Sequence, residues 1–89
     1  MKKHLNIKLT GKVQGVGFRY EAKEFADKLN VRGYARNMHD GSVELEVEGE
    51  EKDLKTFAAW YASNKNLATV EHSDVHESDI QGYREFQIY

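Results

Sequence analysis

LNIKLTGKVQGVGFRYEAKEFADKL, residues 5–29, changes its hydrophobic period part-way along. Leu5, Ile7 and Leu9 alternate with Asn6, Lys8 and Thr10. A period of two predicts a strand with one buried face. Phe18, Ala22, Phe25, Ala26 and Leu29 then recur at helical spacing and form one apolar stripe. Between the two runs lies Gly11-Lys12-Val13-Gln14-Gly15-Val16-Gly17, a glycine-rich link. The stretch therefore reads as strand, loop, helix.

The rest of the chain extends this unit. Val31 to Asn37 predicts a second strand, and Asp40-Gly41 after it a hairpin turn, where glycine accepts a positive φ. Val43, Leu45 and Val47 alternate with Glu44, Glu46 and Glu48, a strand with one wet face. Leu54, Phe57, Ala58, Tyr61 and Ala62 predict a second amphipathic helix, with Glu50, Glu51 and Asp53 at its start. Two weaker strand signals, Val70–His76 and Arg84–Tyr89, flank a turn near Gly82. The order is βαββαβ with one extra short strand. It predicts an α+β, ferredoxin-like sandwich: an antiparallel (mixed) five-stranded sheet with two helices on one face. In such a unit the helix returns the second strand parallel to the first. The glycine-rich link and Asn37 then meet at the same end of the sheet.

A chain of 89 residues is expected to form a single domain, residues 1–89, with a modest core. It has no cysteine, which excludes disulfides, zinc–thiolate sites and thiol nucleophiles. Lys2 and Lys3 are followed by no apolar run, so neither a signal peptide nor a membrane span is expected. The expected compartment is the cytoplasm. Thirteen basic and fifteen acidic residues give a net charge of -2. That balance disfavours a general nucleic-acid binder but allows one local anion site.

The glycine-rich link leads into a helix with no good cap, because none of Val13 to Phe18 is the Ser, Thr, Asp or Asn that normally serves there. The first turn also carries Arg19, a cation opposing the helix dipole at about 0.3–1 kcal/mol. On the residues alone two readings stand. Gly15 and Gly17 make a tight turn beside a solvated Arg19, or the free N–H groups and Arg19 together cradle an anion. The Gly-Lys-Ser/Thr ending of a nucleotide-binding loop is missing. Asn37 is likewise either a turn residue or, beside such an anion site, an amide that orients a water.

Other polar residues are weaker candidates. His72 and His76 share a strand face but lie about 13 Å apart, too far for one metal ion. His39 belongs to the turn, and Glu44, Glu46, Glu48, Glu50 and Glu51 read as a solvated face and helix start. Trp60 falls off the second apolar stripe and reads as a surface or edge aromatic.

Leu9-Thr10-Gly11-Lys12-Val13-Gln14-Gly15-Val16-Gly17-Phe18-Arg19 resembles the first signature of the acylphosphatase family. Gly33-Tyr34-Ala35-Arg36-Asn37, with Gly41, Val43 and Gly49, resembles the second. The resemblance extends over essentially the whole chain to Phe86-Gln87-Ile88-Tyr89. Ala35 stands where the family often has valine, and Asn66-Leu67-Ala68 lacks the proline common before the fourth strand.

The resemblance implies a hydrolase that cleaves the carboxyl–phosphate bond of acyl phosphates. It implies backbone N–H groups of Gln14, Gly15, Val16, Gly17, Phe18 and Arg19 around the phosphate. Arg19 then corresponds to the phosphate-binding arginine and Asn37 to the water-orienting asparagine. No metal or organic cofactor is implied. The expected partners are a small-molecule acyl phosphate and inorganic phosphate or sulfate as product or inhibitor, with no nucleic acid or membrane, and the protein is expected to be a monomer. The alternatives are an acyl-phosphate or carbamoyl-phosphate binding or sensing module, and an RNA-binding ferredoxin-like module. The last needs stacking aromatics on the open face of the sheet, where the alternation shows only Asn6, Lys8 and the glutamates.

Overall fold

The computed structural model describes residues 1–63 and 68–89. Its elements are β1 (Lys2–Lys12), α1 (Phe18–Leu29), β2 (Arg32–Asn37), β3 (Val43–Glu50), α2 (Glu51–Ala62), β4 (Thr69–Ser78) and β5 (Phe86–Ile88). The sheet order is β4-β1-β3-β2-β5. β2 and β5 are parallel, and every other neighbouring pair is antiparallel. This is the five-stranded, ferredoxin-like sandwich that the periodicity predicts. Boundaries move by a residue or two: Val31 precedes β2, β4 outruns Val70–His76 at both ends, and β5 is shorter than Arg84–Tyr89. The Asn66-Leu67 part of the departure from the family's proline lies outside the described residues.

Ile7 and Leu9 of β1 and Val43, Leu45 and Val47 of β3 are buried under the helices. Phe18, Ala22 and Ala26 of α1 and Leu54, Phe57 and Tyr61 of α2 face them. Ala62, assigned to the apolar stripe by spacing, is exposed at the helix end. No side chain caps α1, which forgoes roughly 1 kcal/mol. Full burial of Phe18 contributes about 1.5–3 kcal/mol, so packing rather than capping holds this helix.

Trp60 takes the edge position of its two readings. Its ring stacks on Phe18 at 5.5 Å and on Phe25 at 5.1 Å. It lies three residues from Phe57, on the flank of the stripe that α1 covers.

The open face also departs from expectation. Glu48 is buried rather than solvated, and accepts hydrogen bonds from the backbone N–H groups of Gln81, Gly82 and Tyr83. Burial alone would raise its carboxyl pKa; those N–H groups and His4 outweigh it and hold the pKa below the usual value. His4 is fully buried, with Nε2 2.5 Å from Glu46 and Nδ1 2.8 Å from Glu48. The open face is not free of aromatics either: Tyr34 meets Tyr83 at 6.1 Å and Tyr89 at 5.4 Å, both edge-on. Tyr34 is half-buried, and burial together with Glu44 pushes its hydroxyl up to about 12.

Candidate active site

α1 is preceded by Gly17, whose φ of 80° and ψ of 13° lie in the left-handed region. Gly15 is also left-handed, at φ 74°. Side chains rarely adopt that conformation, so glycine here lets the loop curl back over the helix end. Nothing lies within 4 Å of where a Gly15 side chain would begin, so the backbone is open above the turn. The N–H groups of the first turn are left without an intrahelical partner, and no side-chain oxygen serves them.

Arg19 stands in this first turn, with Glu21. Among the described residues no Asp or Glu side chain forms an ion pair with Arg19. Its guanidinium donates to the main-chain oxygen of Tyr89 and lies 5.9 Å from the centre of the Tyr20 ring. By contrast, Lys8 pairs with Asp40 at 2.9 Å and Arg36 with Glu44 at 2.7 Å.

Three segments converge here. Gln14 Nε2 donates to the carbonyls of Met38 and Ser42, each at 2.7 Å. That clasp ties the glycine-rich loop to the β2–β3 turn directly after Asn37. Tyr89 supplies the third segment: its N–H bonds to the Ala35 carbonyl at 2.9 Å while its oxygen receives Arg19. The turn is a five-residue loop, Met38 to Ser42, rather than a bare Asp-Gly pair. It is closed by Met38 N–H to Ser42 O at 2.8 Å and by Asp40, which accepts from Ser42 N–H and Oγ. Those Ser42 bonds first, then Lys8, hold the Asp40 carboxyl well below the usual range.

Asn37 ends β2 on the same side of the sheet as buried Ala35. Among the described residues, its Oδ1 is a buried side-chain atom without a hydrogen-bond partner. His39 in the turn is exposed, as are His72 and His76 on β4. Gln14's side chain and Tyr89 are the features that sequence reasoning missed. The family resemblance implies only a backbone role for Gln14, and no spacing rule connects Tyr89 to Arg19 when they are paired through the parallel β2–β5 edge.

The acylphosphatase family profile matches residues 5–88. The chain belongs to the acylphosphatase family. The acylphosphatase of Lactiplantibacillus plantarum is 44% identical over 85 residues, covering 94% of each chain. The crystal structure of acylphosphatase from Bacillus subtilis superposes with a TM-score of 0.92 at 36% identity, covering 100% of this chain and 99% of that one. The same fold matches 12% of full-length HypF, solved in its phosphate- and nucleotide-bound form, at TM-score 0.89 and 32% identity. Acylphosphatases are acyl-phosphate hydrolases, so the substrate of this enzyme is a small-molecule acyl phosphate. No helix among the described residues is long and apolar enough to cross a membrane.

Proposed function

We propose that the loop 14–19 and Arg19 hold the phosphoryl group while Asn37 orients the water that attacks it. The observation that supports this most is the meeting of an uncapped helix start bearing Arg19 with a strand end bearing the unpartnered Asn37 Oδ1. The backbone N–H groups of Gln14 to Arg19 and the helix dipole favour an anion, and the guanidinium fork suits two phosphoryl oxygens. Asn37 Oδ1 accepts a hydrogen bond from the water and so aims the water's lone pair at phosphorus, in line with the leaving carboxylate. The P–O bond to the acyl oxygen breaks, giving carboxylate and inorganic phosphate. A carboxylate leaves without a proton, so no general acid is required. Charge remains on the phosphoryl oxygens, where Arg19 and the N–H groups stabilise it. The water's proton passes to a phosphoryl oxygen of the substrate.

The reading extends to a one-domain, monomeric, cytoplasmic enzyme working without a metal or organic cofactor. Among the described residues no group of three or more His, Cys, Asp or Glu is arranged to hold a metal. Glu44 and Glu46 beside the open-face tyrosines disfavour a nucleic-acid backbone there.

The test is benzoyl phosphate hydrolysis by purified protein in EDTA, with inorganic phosphate as inhibitor. Turnover with competitive inhibition is expected. Arg19→Lys keeps the charge but loses the fork, and should weaken phosphate inhibition and sharply lower kcat/KM. A binding or sensing module would show phosphate binding without turnover. Near wild-type behaviour of Arg19→Lys would remove Arg19 from the phosphate site.

A further inference from the structure

We propose that Asp40 is a positioning residue for the hydrolysis, holding the turn that follows Asn37 in the shape that aims the Asn37 amide. The inference rests on the reading of Asn37 as the residue that orients the water. Asp40 lies beyond the end of β2, in the exposed part of the turn. Among the described residues its side-chain bonds run to Ser42 and Lys8 and to no part of the loop at 14–19. It acts on the site only through the turn.

The two carboxylate oxygens of Asp40 have separate tasks. Oδ1 accepts from Ser42 N–H at 3.0 Å and from Ser42 Oγ–H at 2.5 Å. Oδ2 meets Lys8 Nζ at 2.9 Å. Lys8 belongs to β1, the strand that leads into the glycine-rich loop. Gln14 of that loop donates to the Met38 and Ser42 carbonyls. The same stretch of chain thus grasps the turn twice, through Lys8 and through Gln14. Ser42 joins the two grips, because it is buried, gives its N–H and hydroxyl to Asp40 and lends its carbonyl to Gln14 and to Met38 N–H. Asn37 stands directly before Met38 and pairs with Val43 directly after Ser42. Among the described residues its Oδ1 has no partner of its own. No protein group therefore steers that oxygen, and its aim is inherited from the backbone of the turn that Asp40 knots.

The test is benzoyl phosphate hydrolysis by Asp40→Ala, Asp40→Asn, Lys8→Met, Asn37→Ala and the Asn37→Ala/Asp40→Ala pair, with phosphate inhibition measured on each. A misplacement of about 1 Å can cost about 10²-fold in rate, so Asp40→Ala should lower kcat about tenfold or more. Its phosphate inhibition constant should stay nearly unchanged. Asp40→Asn keeps an oxygen for Ser42 and loses the ion pair, so it should recover most of the rate. Lys8→Met should cost less than about fivefold, the scale of an exposed pair. In the Asn37→Ala background Asp40→Ala should lower kcat no further, because no amide is left to misplace. A second fall of the same size there means that Asp40 acts independently of Asn37, and overturns the inference while leaving the reading of Asn37 intact. An unchanged kcat in folded Asp40→Ala, or equal losses of kcat and phosphate inhibition, overturns it as well. An Asn37→Ala enzyme as fast as the wild type overturns the reading of Asn37 and this inference with it. Should Asp40→Ala fail to fold, Asp40→Glu carries the same comparison, since its longer arm keeps the charge for Lys8 and moves the carboxylate off Ser42.

Discussion

Asn37 is anomalous at the scale of one residue: among the described residues its buried amide oxygen has no protein partner, and a buried acceptor that neither water nor ligand reached would cost about 1–3 kcal/mol. A residue kept for turn geometry should lose stability on truncation. Asn37→Ala should instead leave Tm unchanged or slightly raised. It should lower kcat by about 10²-fold, the scale for one oriented polar group, with phosphate inhibition nearly intact. Measuring kcat, the phosphate inhibition constant and Tm on one preparation separates the roles; a fall in Tm with kcat preserved would return Asn37 to the turn. Local signals, a cation at a helix start and an asparagine before a turn, single out Arg19 and Asn37 but leave each open between a turn or surface residue and a site residue; the roles proposed for them come from the resemblance to the family signatures. The unpartnered state of Asn37 was not legible in the sequence, because it depends on what does not reach it in three dimensions.

At the scale of elements, the junction between α1 and the β2–β3 turn is made by one side chain. Gln14 spends both amide N–H groups on Met38 and Ser42 carbonyls. Two neutral hydrogen bonds are worth about 1–3 kcal/mol together. Gln14→Ala should therefore cost about that much in urea unfolding. It should also lower kcat more than it weakens phosphate inhibition, because the loop keeps its own N–H groups but loses its register with Asn37. Equal loss of binding and turnover would mean the clasp shapes the cradle itself. Hydrophobic period revealed the strands and helices, since each buries one face. It failed for Glu48 and left Trp60 between surface and edge for one reason: period reports an element's own face, not what another element lays over it. α1 covers the flank bearing Trp60, and residues 81–83 cross the wet face at Glu48.

At the scale of the whole molecule, three lowered carboxyl groups gather where β3 runs into α2. Glu48, Glu50 and Glu51 all lie below the ordinary value of 4.5. The N-terminal amine holds Glu50 and Lys3 holds Glu51, while the N–H groups of residues 81–83 hold Glu48 against its burial. A carboxyl whose folded pKa is depressed stabilises the fold above its unfolded pKa and loses that contribution as pH falls through the folded value. Their contribution should therefore be constant from neutrality to about pH 5 and decline below about 4.5. Urea midpoints across that range check it, and Glu48→Gln should flatten the decline. An equally steep acid limb in that variant would locate the effect elsewhere.

The sheet order carries a kinetic consequence. Leu5 pairs with Val47 on one side and Glu77 on the other, so the strand that opens the chain sits between two segments that arrive much later. Pairings so distant along the chain require loop closure before they return any energy, which puts folding in the millisecond-to-second range. The residues around Arg19 come from the loop at 14–19, the turn at 38–42 and Tyr89, and are assembled only when β1, β2 and β5 are all in place. An anion held at the proposed cradle would therefore find no site in the partly ordered transition state. Phosphate at a hundredfold excess over Kd should slow unfolding about a hundredfold and leave the refolding rate untouched. Stopped-flow chevrons with and without phosphate read this directly: displacement of the unfolding limb alone dates the cradle as the last part to form, and faster refolding would date it among the first.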